Sequence, residues 1–183
     1  MKEMYEKGIQ PILPKNFDEN EWYALVITIL IVICVYLVTI KNRRLLWSEI
    51  ICISLLNLQM TTIGEYFLAM PPYDFYDTVD RNSGELTDIF LQTIVYPGTV
   101  LLFMHIYKVR NWNKVFFLLA SIASLSLLEA ISVFCFHLFS YNTWEFYYSV
   151  LFYFFVMAVN MIFYEKLCAY LKKRRTVLVG KKF

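Results

Sequence analysis

Five apolar stretches, each bounded by charged or turn-forming residues, divide the chain. The first, Tyr23–Ile40, carries no charge, has Trp22-Tyr23 at its mouth and stops at Lys41, Arg43 and Arg44. The second, about Leu45–Met70, contains Glu49, Asn57, Gln59 and Glu65 and ends at Pro71-Pro72, where no residue can continue a helical hydrogen-bond ladder. The third, about Glu85–Tyr107, carries Asp88, Gln92 and Pro97-Gly98; the fourth, about Val115–Phe139, holds one acid, Glu129. The fifth, about Trp144–Leu171, is rich in Tyr and Phe. A helix needs about 20 apolar residues to cross the hydrocarbon of a bilayer. The pattern therefore predicts an all-α integral membrane bundle of five transmembrane helices, at about 22–40, 45–70, 85–107, 115–139 and 144–171. An acidic tail, 1–21, precedes the bundle and a basic tail, 172–183, follows it. Between the second and third helices, Asn-Ser-Gly at 82–84 reads as a turn.

Composition agrees with a lipid solvent. Hydrophobic residues make up 59% of the 183 and charged residues 17%, against about 25% charged in a soluble domain. Orientation follows from where the charges fall. All Lys and Arg except Lys2, Lys7, Lys15 and Arg81 lie in the 41–44 loop, around 108–114, or at the end of the fifth helix and beyond. All Asp and Glu except Glu49 and Glu165 lie on or toward the opposite side. Short loops rich in Lys and Arg stay cytoplasmic, so the N-terminus is expected outside and the C-terminus inside. Met1–Glu21 lacks the basic region and immediate apolar run of a cleavable signal, and no lipidation motif is visible at either end.

Carboxylates inside a lipid-facing helix cost about 2.5–3.5 kcal/mol and so turn toward protein or water. Glu65, Asp88, Gln92, Glu129 and Glu145 fall at the outer ends or outer halves of four different helices and form the candidate polar cavity. No Lys or Arg lies at the depth of Glu129, leaving Ser126, Ser132, tyrosine hydroxyls, Gln92 and water as its partners. Two readings stand. The carboxyls glue the bundle as hydrogen-bonded groups, or they line a cavity that takes a cation, a proton or a polar headgroup. Pro97-Gly98 marks a helix kink whose freed carbonyl a neighbouring helix satisfies, or a broken helix beside a cavity. Asn57 and Asn160 lie deeper, as hydrogen-bonding glue between helices.

Catalytic chemistry finds no constellation. His105 and His137 fall near opposite ends of their helices, and there is no G-x-S-x-G elbow or phosphate-cradling glycine loop. Cys34, Cys52, Cys135 and Cys168 form no C-x-x-C pair, so no metal and no cofactor are expected. The cationic run Lys172–Arg175 reads as a topology signal, with contact to anionic lipid as a second reading.

Several short motifs in fixed order carry a resemblance. They are Glu65 with the aromatic-acidic loop beyond it, Val95-Tyr96-Pro97, Trp112, Glu129, and Tyr141 with Trp144. From about Leu56 to Tyr164 the chain resembles a family of small, uncharacterised multi-pass membrane proteins of endospore-forming bacteria. The resemblance implies a bacterial cytoplasmic-membrane protein of no established activity, its acids mapping onto Glu65 and Glu129 and its kinking proline onto Pro97. The expected function is non-enzymatic: a scaffold or binding component in contact with membrane lipid and a membrane-protein partner or second copy, with no nucleic acid. The alternative is a small carrier or ligand-binding protein that uses Glu65, Asp88 and Glu129.

Overall fold

Asp18 starts the first helix by taking the N–H of Asn20 at 3.2 Å, while Glu21 reaches back to the N–H of Asp18 at 2.9 Å. This reciprocal cap satisfies two of the donors that every helix start leaves open. It sets helix α1 at Glu19–Tyr36, starting four residues before the apolar run, and one π-helical turn, Leu37–Lys41, ends it. The computed structural model describes residues 10–14, 16–79, 85–110 and 112–180, except the side chains of residues 11 and 175–180. The turn expected at 82–84, the start of the acidic tail, and Lys181 and Lys182 lie outside the described residues.

Helix α2, Trp47–Leu68, is capped by Glu49, whose Oε2 accepts the N–H of Leu46 at 2.7 Å. Helix α3 runs Leu86–Arg110 through a π-helical turn at Leu91–Val95. Helix α4, Lys114–Phe136, is capped by Asn113 and ends where His137 takes a left-handed conformation, φ 49°. Helix α5 spans Phe146–Gly180. With the π-helical turn included in α1 (Glu19–Lys41, 23 residues), all five are long and apolar enough to cross a membrane; the shortest, α2 at 22 residues, reaches about 33 Å at the helical rise.

Two departures from the expected architecture matter. The bundle is mostly helical but not purely so: Tyr76–Thr78 (β1) and Phe139–Tyr141 (β2) pair antiparallel, Tyr76 opposite Tyr141. The fourth helix therefore stops three residues before Phe139, because β2 draws its carbonyls and amides into a ladder. The fifth continues past Leu171, since Lys and Arg are good helix formers and need no apolar surroundings.

Lipid removes the hydrophobic drive between helices, so packing and polar contacts hold them. The core at one end is Leu45, Ile50, Ile53, Leu101, Met104 and Phe117 with neighbours from α5. Toward the hairpin, Ala24, Ile31, Leu91, Val95, Val79 and Leu138 pack together. A Cβ on Gly98 would come within 2.6 Å of the Ile31 Cγ2 and 3.4 Å of the Val35 Cγ2. The glycine is what lets α1 and α3 approach beside Pro97. Between α2 and α5, Asn57 and Asn160 exchange reciprocal side-chain hydrogen bonds of 2.7 and 2.9 Å, both side chains buried.

Candidate functional site

The two ends of the bundle treat their acids differently. At the end holding the α1–α2 and α3–α4 turns, each acid meets a lysine. Lys108 Nζ lies 2.7 Å from Glu49 and Lys114 Nζ lies 2.7 Å from Glu165, with Tyr107 also donating to Glu165 at 2.6 Å. The Cys168 thiol donates to the second oxygen of Glu49 at 3.2 Å. At the hairpin end, Glu65 and Glu129 have no cationic partner among the described residues.

Their partners come from the hairpin. The Tyr76 hydroxyl donates to Glu65 Oε1 at 3.3 Å. Its cross-strand neighbour Tyr141 donates to Glu129 Oε1, which Ser149 Oγ also reaches at 2.6 Å. Trp144 Nε1 in turn donates to Ser149 Oγ at 2.8 Å. The pairing of the two connections thus places one tyrosine over each buried carboxyl. Burial, then the charges of Glu65, Asp88 and Glu129, push the Tyr76 hydroxyl above its ordinary range. Burial and Glu129 do the same to Tyr141, so both hydroxyls stay protonated and donate.

The hairpin is fixed independently of the acids. The Phe75 carbonyl accepts from the backbone N–H groups of Asn142, Thr143 and Trp144 at 3.0–3.1 Å, and Asn142 Nδ2 donates to Asp77 Oδ2 at 3.1 Å. Trp144 packs against the rings of Phe75, Tyr76 and Tyr148. Val79, buried and β-branched, sits at φ 62°, a conformation that L residues with branched side chains rarely take.

Beneath the hairpin lies a cavity of about 200 Å³ reached by all five helices. Its walls are mainly apolar, with Ile31, Met60, Leu91, Leu125, Phe152 and Val156 among them. Glu65, Glu129, Tyr76, Tyr96 and Tyr141 supply much of its polar lining, and Asn57 borders it from α2. Glu65 and Glu129 are 7% and 8% exposed. In each carboxyl the Oε1 is anchored from the hairpin, while the Oε2, like the Tyr96 hydroxyl, is fully enclosed and has no hydrogen-bond partner among the described residues.

The remaining expected residues sit elsewhere. Asp88 is fully buried but does not line the cavity; its Oδ2 accepts from Gln92 Nε2 at 2.8 Å. Glu145 is exposed and outside the cavity, because it precedes the first residue of α5 and does not share that helix's inward face. Of the partners expected for Glu129, a tyrosine hydroxyl is found, whereas Ser132 bonds Tyr23 at 2.9 Å and Ser126 Oγ has no partner among the described residues. Pro97 does not break α3. The π-helical turn before it carries the Tyr96 N–H to Leu91 O, and Pro97 has no N–H to take the next carbonyl in that register. That carbonyl, of Gln92, instead accepts from Thr61 Oγ1 of α2 at 3.2 Å. Leu91 and Val95, the ends of the turn, both line the cavity.

Sequence reasoning did not find Tyr76, Ser149 or Tyr96 as site residues. The signal for Tyr76 was the density of Tyr and Trp around the two loops; Tyr96 stood in the Val95-Tyr96-Pro97 motif without a role, and Ser149 had no signal. Among the described residues no group of three or more His, Cys, Asp or Glu is placed to hold a metal ion, and His137 Nδ1 instead meets Glu19 at 2.8 Å. The chain matches no family model, no curated protein and no solved structure.

Proposed function

We propose that this is a small five-span membrane protein, N-terminus outside and C-terminus cytoplasmic, whose central cavity binds a small ligand from the outer side. The observation that carries the reading is the pair of buried carboxyls on the wall of a mostly apolar cavity, each anchored through one oxygen by hydroxyl donors and neither paired with a cation among the described residues. A concave apolar pocket with a few polar groups on its wall is the usual form of a small-molecule site. Orientation rests on the distribution of Lys and Arg described above, and it puts the hairpin and both carboxyls on the outer side. The scaffold reading has no comparable feature in its favour. The binding reading includes receptor and carrier alike, and it assigns no bond-making or bond-breaking step to the chain.

The test uses dicyclohexylcarbodiimide, an apolar reagent that couples to carboxyls buried in lipid. In the folded protein, peptide mass spectrometry should find Glu65 and Glu129 modified and Asp77 and Glu145 spared. Modification of neither cavity acid in the folded protein, with both reacting after denaturation, would show that no small molecule reaches them and would overturn the reading.

A further inference from the structure

We infer that the cavity takes an uncharged, ring-sized hydrophobic molecule, held by packing against hydrocarbon and not by a polar head group; this rests on the binding reading above and names its ligand class. The polar side chains on the wall are already spent within the protein. Asn57 turns to Asn160 and to the Ile53 carbonyl, and Thr61 to backbone carbonyls of α2 and α3. Tyr23 meets Ser132, and Thr99 bonds the Val95 carbonyl. Tyr76 is used by Glu65, while Tyr141, Ser149 and Tyr153 are used by Glu129. The wall oxygens left without a partner among the described residues are Glu65 Oε2, Glu129 Oε2 and the Tyr96 hydroxyl. All three are enclosed beneath neighbouring atoms and present almost no surface to a guest.

What a guest meets is therefore hydrocarbon. Ile31, Met60, Leu91 and Leu125 supply it from the first four helices, and Phe152 and Val156 from α5. A charged guest would give up its hydration here and gain no hydrogen bond in return. A hydrocarbon guest loses nothing, and gains dispersion contacts with side chains of all five helices. Size narrows the class. An engineered apolar cavity of about 150 Å³ lined by Leu, Ile and Phe binds benzene, so about 200 Å³ with walls of the same kind admits one substituted ring. Gly64 offers a way to close the space: a Cβ there meets only the Phe152 Cζ, at 3.7 Å, so a longer side chain grows over the cavity wall and not into packed atoms.

The experiment follows quenching of Trp144, which lines the cavity, by bromobenzene in lipid nanodiscs at pH 7. The exposed Trp22, Trp47 and Trp112 are changed to Phe, so that Trp144 alone reports. Quenching should saturate above the linear component that comes from bromobenzene in the lipid. Toluene should displace the saturable part, and benzylamine, protonated at this pH, at least about tenfold less well. Gly64→Leu and Val156→Phe should each abolish the saturable part, and having two filled variants guards against one that does not fold. Leu55→Phe, on the lipid-facing surface, should keep it. Purely linear quenching of the unfilled protein, saturation that survives both filled variants, or benzylamine competing as well as toluene would overturn the hydrocarbon assignment. So would quenching of Trp144 by lipid brominated in its acyl chains that Gly64→Leu removes, since a lipid chain would then be the occupant. In each of these cases carbodiimide marking of Glu65 and Glu129 would leave the cavity reading standing; failure of both experiments would overturn both.

Discussion

Glu129 shows how much chemistry one residue concentrates. Its Oε1 receives both Tyr141 and Ser149, and Ser149 receives Trp144. Glu129→Gln keeps an acceptor at that position, so the melting temperature in detergent should stay near wild type. Glu129→Leu strands the buried Ser149 hydroxyl and the half-buried Tyr141 hydroxyl and should cost about 1–3 kcal/mol, read as a clear drop in the same measurement. The glycines make a second contrast. Gly98→Ala puts a methyl 2.6 Å from a branched side chain that cannot swing away, so it should destabilise by about 1–3 kcal/mol despite the better helix propensity of alanine. Gly64→Ala meets only the Phe152 Cζ at 3.7 Å, ordinary contact, and should be neutral or stabilising. Equal losses at both positions would contradict the close approach of α1 and α3. At this scale the sequence was informative wherever cost was high. Glu65 and Glu129 stood out because a carboxyl in lipid demands an explanation. Tyr76 did not, because a tyrosine in a polar loop demands none.

Elements decide which faces meet, and here the reading of sequence was weakest. An α-helical wheel puts Asp88, Gln92, Val95 and Thr99 on one face, since positions three and four apart align. The π-helical turn inserts a residue's worth of rotation, about 100°, between the two parts of α3. Val95 and Thr99 therefore line the cavity while Asp88 and Gln92 bond each other outside its lining. Pro97 marked the disturbance but not its direction. The hairpin was hidden for another reason: β1 and β2 are three residues each and pair across more than sixty positions, a tertiary event that local pattern does not record. By contrast, Asn57 and Asn160 were legible as hydrogen-bonding glue between helices, and the structure shows that they bond each other. Asn57→Ala and Asn160→Ala should each destabilise the bundle by about 0.6–2 kcal/mol, and the double variant by less than their sum. Additive losses in a thermal double-mutant cycle would mean that the two amides do not act as a pair.

For the whole molecule, the charges at the two ends and the cavity between them form one argument. Glu49 and Glu165 at the basic end meet Lys108 and Lys114, while Glu65 and Glu129 beneath the hairpin meet hydroxyl donors and no cation among the described residues, so the two ends hold their acids differently. The five spans could be read from apolar length alone, with ends shifted by a few residues where caps such as Asp18 and Asn113 override hydropathy. A cavity, however, is a property of side chains from five helices at once, and no single stretch of sequence carries it. The most direct measurement is thiol accessibility in intact cells, using a cysteine-free background and a small membrane-impermeant thiol reagent. Thr61→Cys, on the cavity wall, should react from outside, as should Asp77→Cys in the hairpin; Leu55→Cys, on a lipid-facing surface, and Asn42→Cys, in the basic turn, should not. Reaction of Asp77→Cys without Thr61→Cys would contradict a cavity open to the outside, and reaction of Asn42→Cys alone would reverse the orientation.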